Sequence, residues 1–98
     1  MDVDYRRTGR TFRTCLHAVY QASKHNLSNV CIVFPTYAIG QYHFRNTLLP
    51  IVRDLQGVKI YRDKITLPNG SIVQFSGANP YNDLAGFGYS LVIHDHIL

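Results

Sequence analysis

The chain has 98 residues, 46% of them apolar and 16% charged, with a formal charge of +4, which fits one domain with a single core and excludes a disordered chain. No apolar run approaches the roughly 18 residues needed to cross a bilayer, and the opening MDVDYRRTGR lacks the apolar centre of a signal peptide, so the default is a soluble cytoplasmic protein with no membrane partner. The positive charge is lopsided, with six Lys or Arg against two Asp in residues 1–49 and four against four in residues 50–98, which suits a polyanion at the N-terminal half.

From Thr11 to His25, apolar residues at Phe12, Cys15, Leu16, Val19 and Tyr20 recur at spacings of three and four, which predicts an amphipathic helix. Asn26 and Ser28 end it. Val30 to Phe34, VCIVF, is a continuous β-branched run and reads as a strand covered on both faces, closed by Pro35. A second helix is predicted from Ala38 to about Leu55 on an apolar face of Ile39, Tyr42, Phe44, Leu48, Leu49, Ile51 and Val52; Pro50 should kink or split it.

After Gly57 the period changes to alternation, and Asn69-Gly70 between ITL and SIVQF is a strong hairpin signal, with Pro68 allowing a wider loop. GANPYNDLAGFGYS reads as a turn-rich loop with one short helical turn near Asp83, and SLVIHDHIL as a second buried-type strand. Cys15 and Cys31 sit in apolar segments and read as reduced core thiols. Helix, buried strand, helix, hairpin and buried strand together predict an α/β fold, helices packed on a mostly parallel sheet with the hairpin extending one edge.

The stretch YRRTGRT, Tyr5 to Thr11, carries the chemistry. A phosphate cradle needs small residues, a cation, a hydroxyl for magnesium and a helix N-terminus behind it. Gly9, Arg10 and Thr11 supply candidates just where the first helix is predicted to open. Arg6, Arg7, Arg10 and Arg13 also admit a plainer reading as a solvated helix face, although four cations at the end disfavoured by the helix dipole call for an anion. Tyr37, Tyr42, Tyr81 and Tyr89 could stack on bases, but tyrosines at such positions more often pack. Asn82 with Asp83 reads as a turn or cap. His94 and His96 flank Asp95 at strand spacing, so both imidazoles would share one face. All six acidic residues are Asp; there is no Glu.

The order of these features resembles the ATPase half of the large terminase subunit, the DNA-packaging motor of tailed bacteriophages, and more distantly nucleic-acid helicases. That family has a G-R-R-x-G-K-T type loop, matched here by YRRTGRT; a strand running into Pro-Thr-Tyr, matched by VFPTYAIGQ; Asn-Gly-Ser within LPNGSIVQFSGA; a glycine-containing loop, NDLAGFGYS; and an apolar strand ending in Asp-Glu, matched by LVIHDHI. The resemblance spans roughly residues 5–97 and implies a partial P-loop NTPase-like core in one truncated domain, 1–98.

By that resemblance, Gly9, Arg10 and Thr11 form the phosphate loop, and Arg6 or Arg7 stabilises charge on the transferring phosphate. Thr11 and Asp95 hold Mg2+, ATP is the cofactor, and His96 stands at the position of the catalytic glutamate. The departures are specific. Tyr5 replaces a glycine, Arg10 puts a planar fork where the family has a compact ammonium, and loss of the glutamate removes a group of a kind that contributes about 10²- to 10⁴-fold. Only MDVD precedes the loop, where the family has an anchoring strand. The expectation is therefore binding of nucleotide or nucleic-acid phosphates, in or alongside DNA packaging in the host cytoplasm, with hydrolysis lost or dependent on a partner. The competing expectation is a non-enzymatic interaction protein that contacts a phage or host protein, or self-associates through an open sheet edge.

Overall fold

A run such as VCIVF has no polar face to offer water, and it becomes an inner strand. In a computed structural model that describes residues 2–77 and 89–95, with side chains from residue 10 onward, strand β1 (Asn29–Phe34) lies between β4 (Ile72–Gly77) and β5 (Leu91–His94) and is parallel to both. Strands β2 (Lys59–Ile60) and β3 (Lys64–Thr66) add antiparallel at the β4 side, giving a five-stranded mixed sheet in the order β2-β3-β4-β1-β5. Val30, Ile32 and Phe34 enter the main core, while Cys31 and Val33, which alternate with them, are buried as well. Both faces of β1 are covered, as its sequence demands. The protein is α/β, and among the described residues no helix is long and apolar enough to cross a membrane.

Helix α1 runs from Asp2 to Lys24, so the expected start at Thr11 is corrected: Tyr5 to Thr11 lie inside the helix rather than in a loop that opens it. The face it buries also differs from the expected one. Thr11, Cys15, Ala18 and Ala22, spaced four, three and four, meet the sheet together with Val19, whereas Phe12, Leu16 and Tyr20 stay 46%, 46% and 55% exposed. The reason is size. Alanine at the closest approach lets the helix axis come down onto β1, and the large side chains one position away are lifted off the contact.

The second helical run is broken as Pro50 requires. Helix α2 (Tyr37–His43) is followed by one π-helical turn at Phe44–Leu48 and by α3 (Leu49–Val52). Proline cannot donate and its ring crowds the carbonyl four residues back; the wider turn, closed by the Leu49 amide on the Phe44 carbonyl, accommodates both just before Pro50. Phe44, Leu48 and Val52 are the buried large apolar residues of the run, with Gly40 and Thr47 buried beside them, while Ile39 and Tyr42 are exposed. Thr36 explains the Pro-Thr-Tyr sequence locally: it is extended, caps α2, and its hydroxyl oxygen accepts from the Ile39 amide at 3.1 Å.

The hairpin forms with Thr66 opposite Ile72, and Gly70 takes φ 86°, a conformation that L side chains rarely adopt. Its turn does more than reverse the chain. Asn69 Nδ2 donates to the carbonyls of Ala22 (2.9 Å) and Ser23 (3.2 Å), and Ser71 Oγ donates to the His25 carbonyl at 2.8 Å. Asn-Gly-Ser therefore satisfies the carbonyls that the end of α1 leaves open. At the opposite end of the sheet Gly77 closes β4, where an added Cβ would stand 2.5 Å from the Tyr37 amide nitrogen; glycine there lets the start of α2 lie against the strand end.

Candidate functional site at the carboxyl ends of the parallel strands

Strands β4, β1 and β5 all end on the side of the sheet where open α/β folds place ligands. Backbone pairing continues one residue past β5, the Asp95 amide donating to the Val33 carbonyl at 2.7 Å, and this fixes where the Asp95 carboxyl stands. The middle of α1, at Thr11 and Thr14, passes over the same end. Thr11 Oγ1 donates to Asp95 Oδ2 at 2.8 Å and Thr14 Oγ1 to Asp95 Oδ1 at 3.0 Å, joining residues 84 and 81 positions apart.

The corner is nearly dry, with Thr11 3% and Asp95 8% exposed. Among the described residues, the hydrogen bonds to the carboxylate come from these two neutral hydroxyls. The donors are all oxygen, the set that a hard divalent cation takes. Among the described residues no group of three or more His, Cys, Asp or Glu comes together that could hold a metal ion.

The carboxylate is felt by its neighbours. Burial, with Asp95 adding to it, pushes the Cys15 thiol from 9.0 up to about 12. The folded pKa lies above the unfolded one, so the stability that Cys15 contributes is complete below pH 9.0 and is lost as pH rises from 9.0 towards about 12, because the unfolded chain ionises first. Thiol-labelling kinetics at pH 8 should therefore show Cys15 reacting only as fast as the chain opens. Labelling of the folded chain as fast as a free thiol would contradict this burial.

His43, at the end of α2, lies near the same corner. Burial lowers its pKa and the Asp95 carboxylate partly restores it. Its ring stacks on Phe34 with centroids 5.5 Å apart, and its Nδ1 is buried with no hydrogen-bond partner.

Of the residues singled out from sequence, the fold brings Thr11 and Asp95 into direct contact. Arg10 and Arg13 are exposed on α1. Arg6, Arg7 and Gly9 are α1 positions whose side chains fall outside the described residues, as do His96, Tyr81, Asn82 and Asp83 altogether. In a helix each amide bonds to the carbonyl four residues back, so the amides of Gly9, Arg10 and Thr11 are taken up by α1 and are not presented as a backbone cradle. Thr14 and His43 had not been singled out. Thr14 lies three residues after Thr11, the spacing that puts two hydroxyls on one side of a helix; nothing in the spacing of His43 marks it.

No protein-family model, curated protein or solved structure matches the chain.

Proposed function

We propose that this corner binds the phosphate groups of a nucleotide or nucleic acid, and that the chain is a relative of the ATPase half of phage large terminase subunits which binds without efficient hydrolysis of its own. The observation that carries the reading is the Thr11 to Asp95 hydrogen bond, 2.8 Å long and spanning 84 positions. Those two residues are the hydroxyl and carboxylate that the resemblance pairs around Mg2+. Their position at the carboxyl ends of parallel strands supports it further.

In the helical form of residues 5–11, side chains rather than backbone amides meet the anion. Arg10 and Arg13 present planar forks matched to phosphate oxygens in bidentate pairs, and Arg6 and Arg7 continue the cationic run one turn earlier in the helix. Thr11 and Asp95 would hold Mg2+, which supplies charge neutralisation between carboxylate and phosphate. The chain has no glutamate to activate water, so the reading is retention of the ligand, with turnover left to a partner or lost.

Isothermal titration with Mg-ATP, and fluorescence polarisation with short single- and double-stranded DNA, test the reading. Saturable binding of at least one is expected, with Arg10→Ala weakening it by roughly tenfold or more, the worth of a charge-assisted hydrogen bond. Binding of neither at moderate salt would overturn it.

A specific observation favours a second reading, a non-enzymatic interaction protein. Phe12, Leu16 and Tyr20 are exposed on α1, and Val19, Leu55, Leu67 and Pro68, with Ser23, Gln56 and Asn69, line a groove of about 400 Å³; exposed apolar surface of this kind meets other proteins. Concentration-dependent association without any phosphate binding would select it.

A further inference from the structure

Among the described residues, the one buried side-chain nitrogen or oxygen without a hydrogen-bond partner is His43 Nδ1. Buried polar atoms in native proteins are paired in the large majority, and an exception calls for a chemical explanation. Packing supplies none. The imidazole is held between aromatic rings, stacked on Phe34 at 5.5 Å with an interplanar angle of 23° and edge-on to Tyr42 at 5.2 Å, a place that an apolar ring fills without leaving a polar atom unpaired.

The position of the ring gives the explanation. Phe34 ends β1, whose carbonyl at Val33 anchors the Asp95 amide, and His43 is near enough to Asp95 for the carboxylate to raise its pKa against the effect of burial. The unpaired imidazole nitrogen, stacked on the last residue of β1, therefore lies at the same end of the sheet as the carboxylate and hydroxyls of the site already described.

We propose that His43 is a ligand-contacting residue of the Thr11–Asp95 site, its Nδ1 hydrogen-bonding an oxygen of the phosphate group bound there. The assignment rests on the phosphate-binding reading and adds a residue to it that neither the motifs nor the resemblance names. A neutral imidazole with its proton on Nδ1 donates to a phosphate oxygen without adding another cation beside the arginines, and the aromatic stack holds the donor in orientation before the ligand arrives, which spares the ordering cost of binding.

Nitrogen-15 spectra of the imidazoles in the whole chain, titrated separately with Mg-ATP, inorganic pyrophosphate and a short DNA duplex, read this contact. With at least one probe, the His43 Nδ1 resonance should move saturably, with a midpoint equal to the dissociation constant. His43→Phe, which keeps a ring on Phe34, should bind that probe at least tenfold more weakly while its thermal midpoint stays level or rises, and His43→Asn, whose amide reaches the Nδ1 position, should recover part of the affinity. If the wild type binds and His43→Phe binds equally well, or if Nδ1 does not move at saturation, His43 is a packing residue and this proposal falls while phosphate binding stands. If the wild type binds none of the three probes, both fall together.

Discussion

Phe34→Ala should destabilise the chain by about 3–5 kcal/mol, the range for deleting a buried aromatic ring. Phe34 is 1% exposed and closes β1, the strand with a parallel neighbour on each side. Its ring meets Phe75 edge-on at 6.4 Å and carries His43 at 5.5 Å. Alanine removes the ring on which α2 packs, and the backbone hydrogen bonds on both sides of β1 prevent the strand from moving in to fill the space. For a domain whose total stability is about 5–15 kcal/mol, that loss is large. Urea denaturation should show the midpoint falling with the slope unchanged; a loss below about 1 kcal/mol would mean that Phe34 is not enclosed as described.

Ser71→Ala should cost about 2–4 kcal/mol, from two backbone groups at roughly 1–2 kcal/mol each, the lower part of the range because the His25 carbonyl is only part-buried. Ser71 is fully buried, and its hydroxyl donates to the His25 carbonyl at 2.8 Å while accepting from the Ser28 amide and from the Ser28 hydroxyl, both at 3.0 Å. That uses its one proton and both lone pairs. Alanine leaves the Ser28 amide without an acceptor and the His25 carbonyl without a donor, at the point where the end of α1 turns into β1. Thr restores the hydroxyl but adds a methyl in a filled place, so Ser71→Thr should lie between wild type and Ser71→Ala. Equal stability of Ser71→Ala and wild type in the same denaturation experiment would contradict the clamp.

These two positions lie at opposite ends of the sheet, and they differ in how far sequence alone discloses them. The strand around Phe34 is legible because an unbroken β-branched run can only be an inner strand. The hairpin is legible because Asn-Gly between alternating segments has one common use. That Asn69 and Ser71 also hold the end of α1 is not legible, since the contact joins segments more than forty residues apart and nothing local encodes it.

The buried face of α1 is hidden from the sequence for a related reason. Periodicity weights large apolar residues, so Phe12, Leu16 and Tyr20 outweigh Ala18 and Ala22, yet close packing on a sheet selects the small ones. The length of α1 is hidden because Gly9, a weak helix residue, marks a loop by its type, whereas the helix continues through it. At the site, Thr11 and Asp95 were tied together only through the resemblance to terminase ATPases, and the fold places them in contact. Thr14 was within reach of helical spacing. His43 was not, because an unpaired nitrogen is a property of packing, which composition and period do not carry.

The account turns on whether the Thr11–Asp95 corner takes up phosphate. The most direct measurement is the backbone amide nitrogen-15 spectrum of the whole chain during titration with Mg-ATP and, separately, with a short DNA duplex. The account predicts saturable shifts at Thr11, Thr14 and Asp95 with at least one of them, with the Asn69 to Ser71 turn at the far end of the sheet unmoved. Shifts confined to residues away from the corner, or none at millimolar ligand, would contradict it.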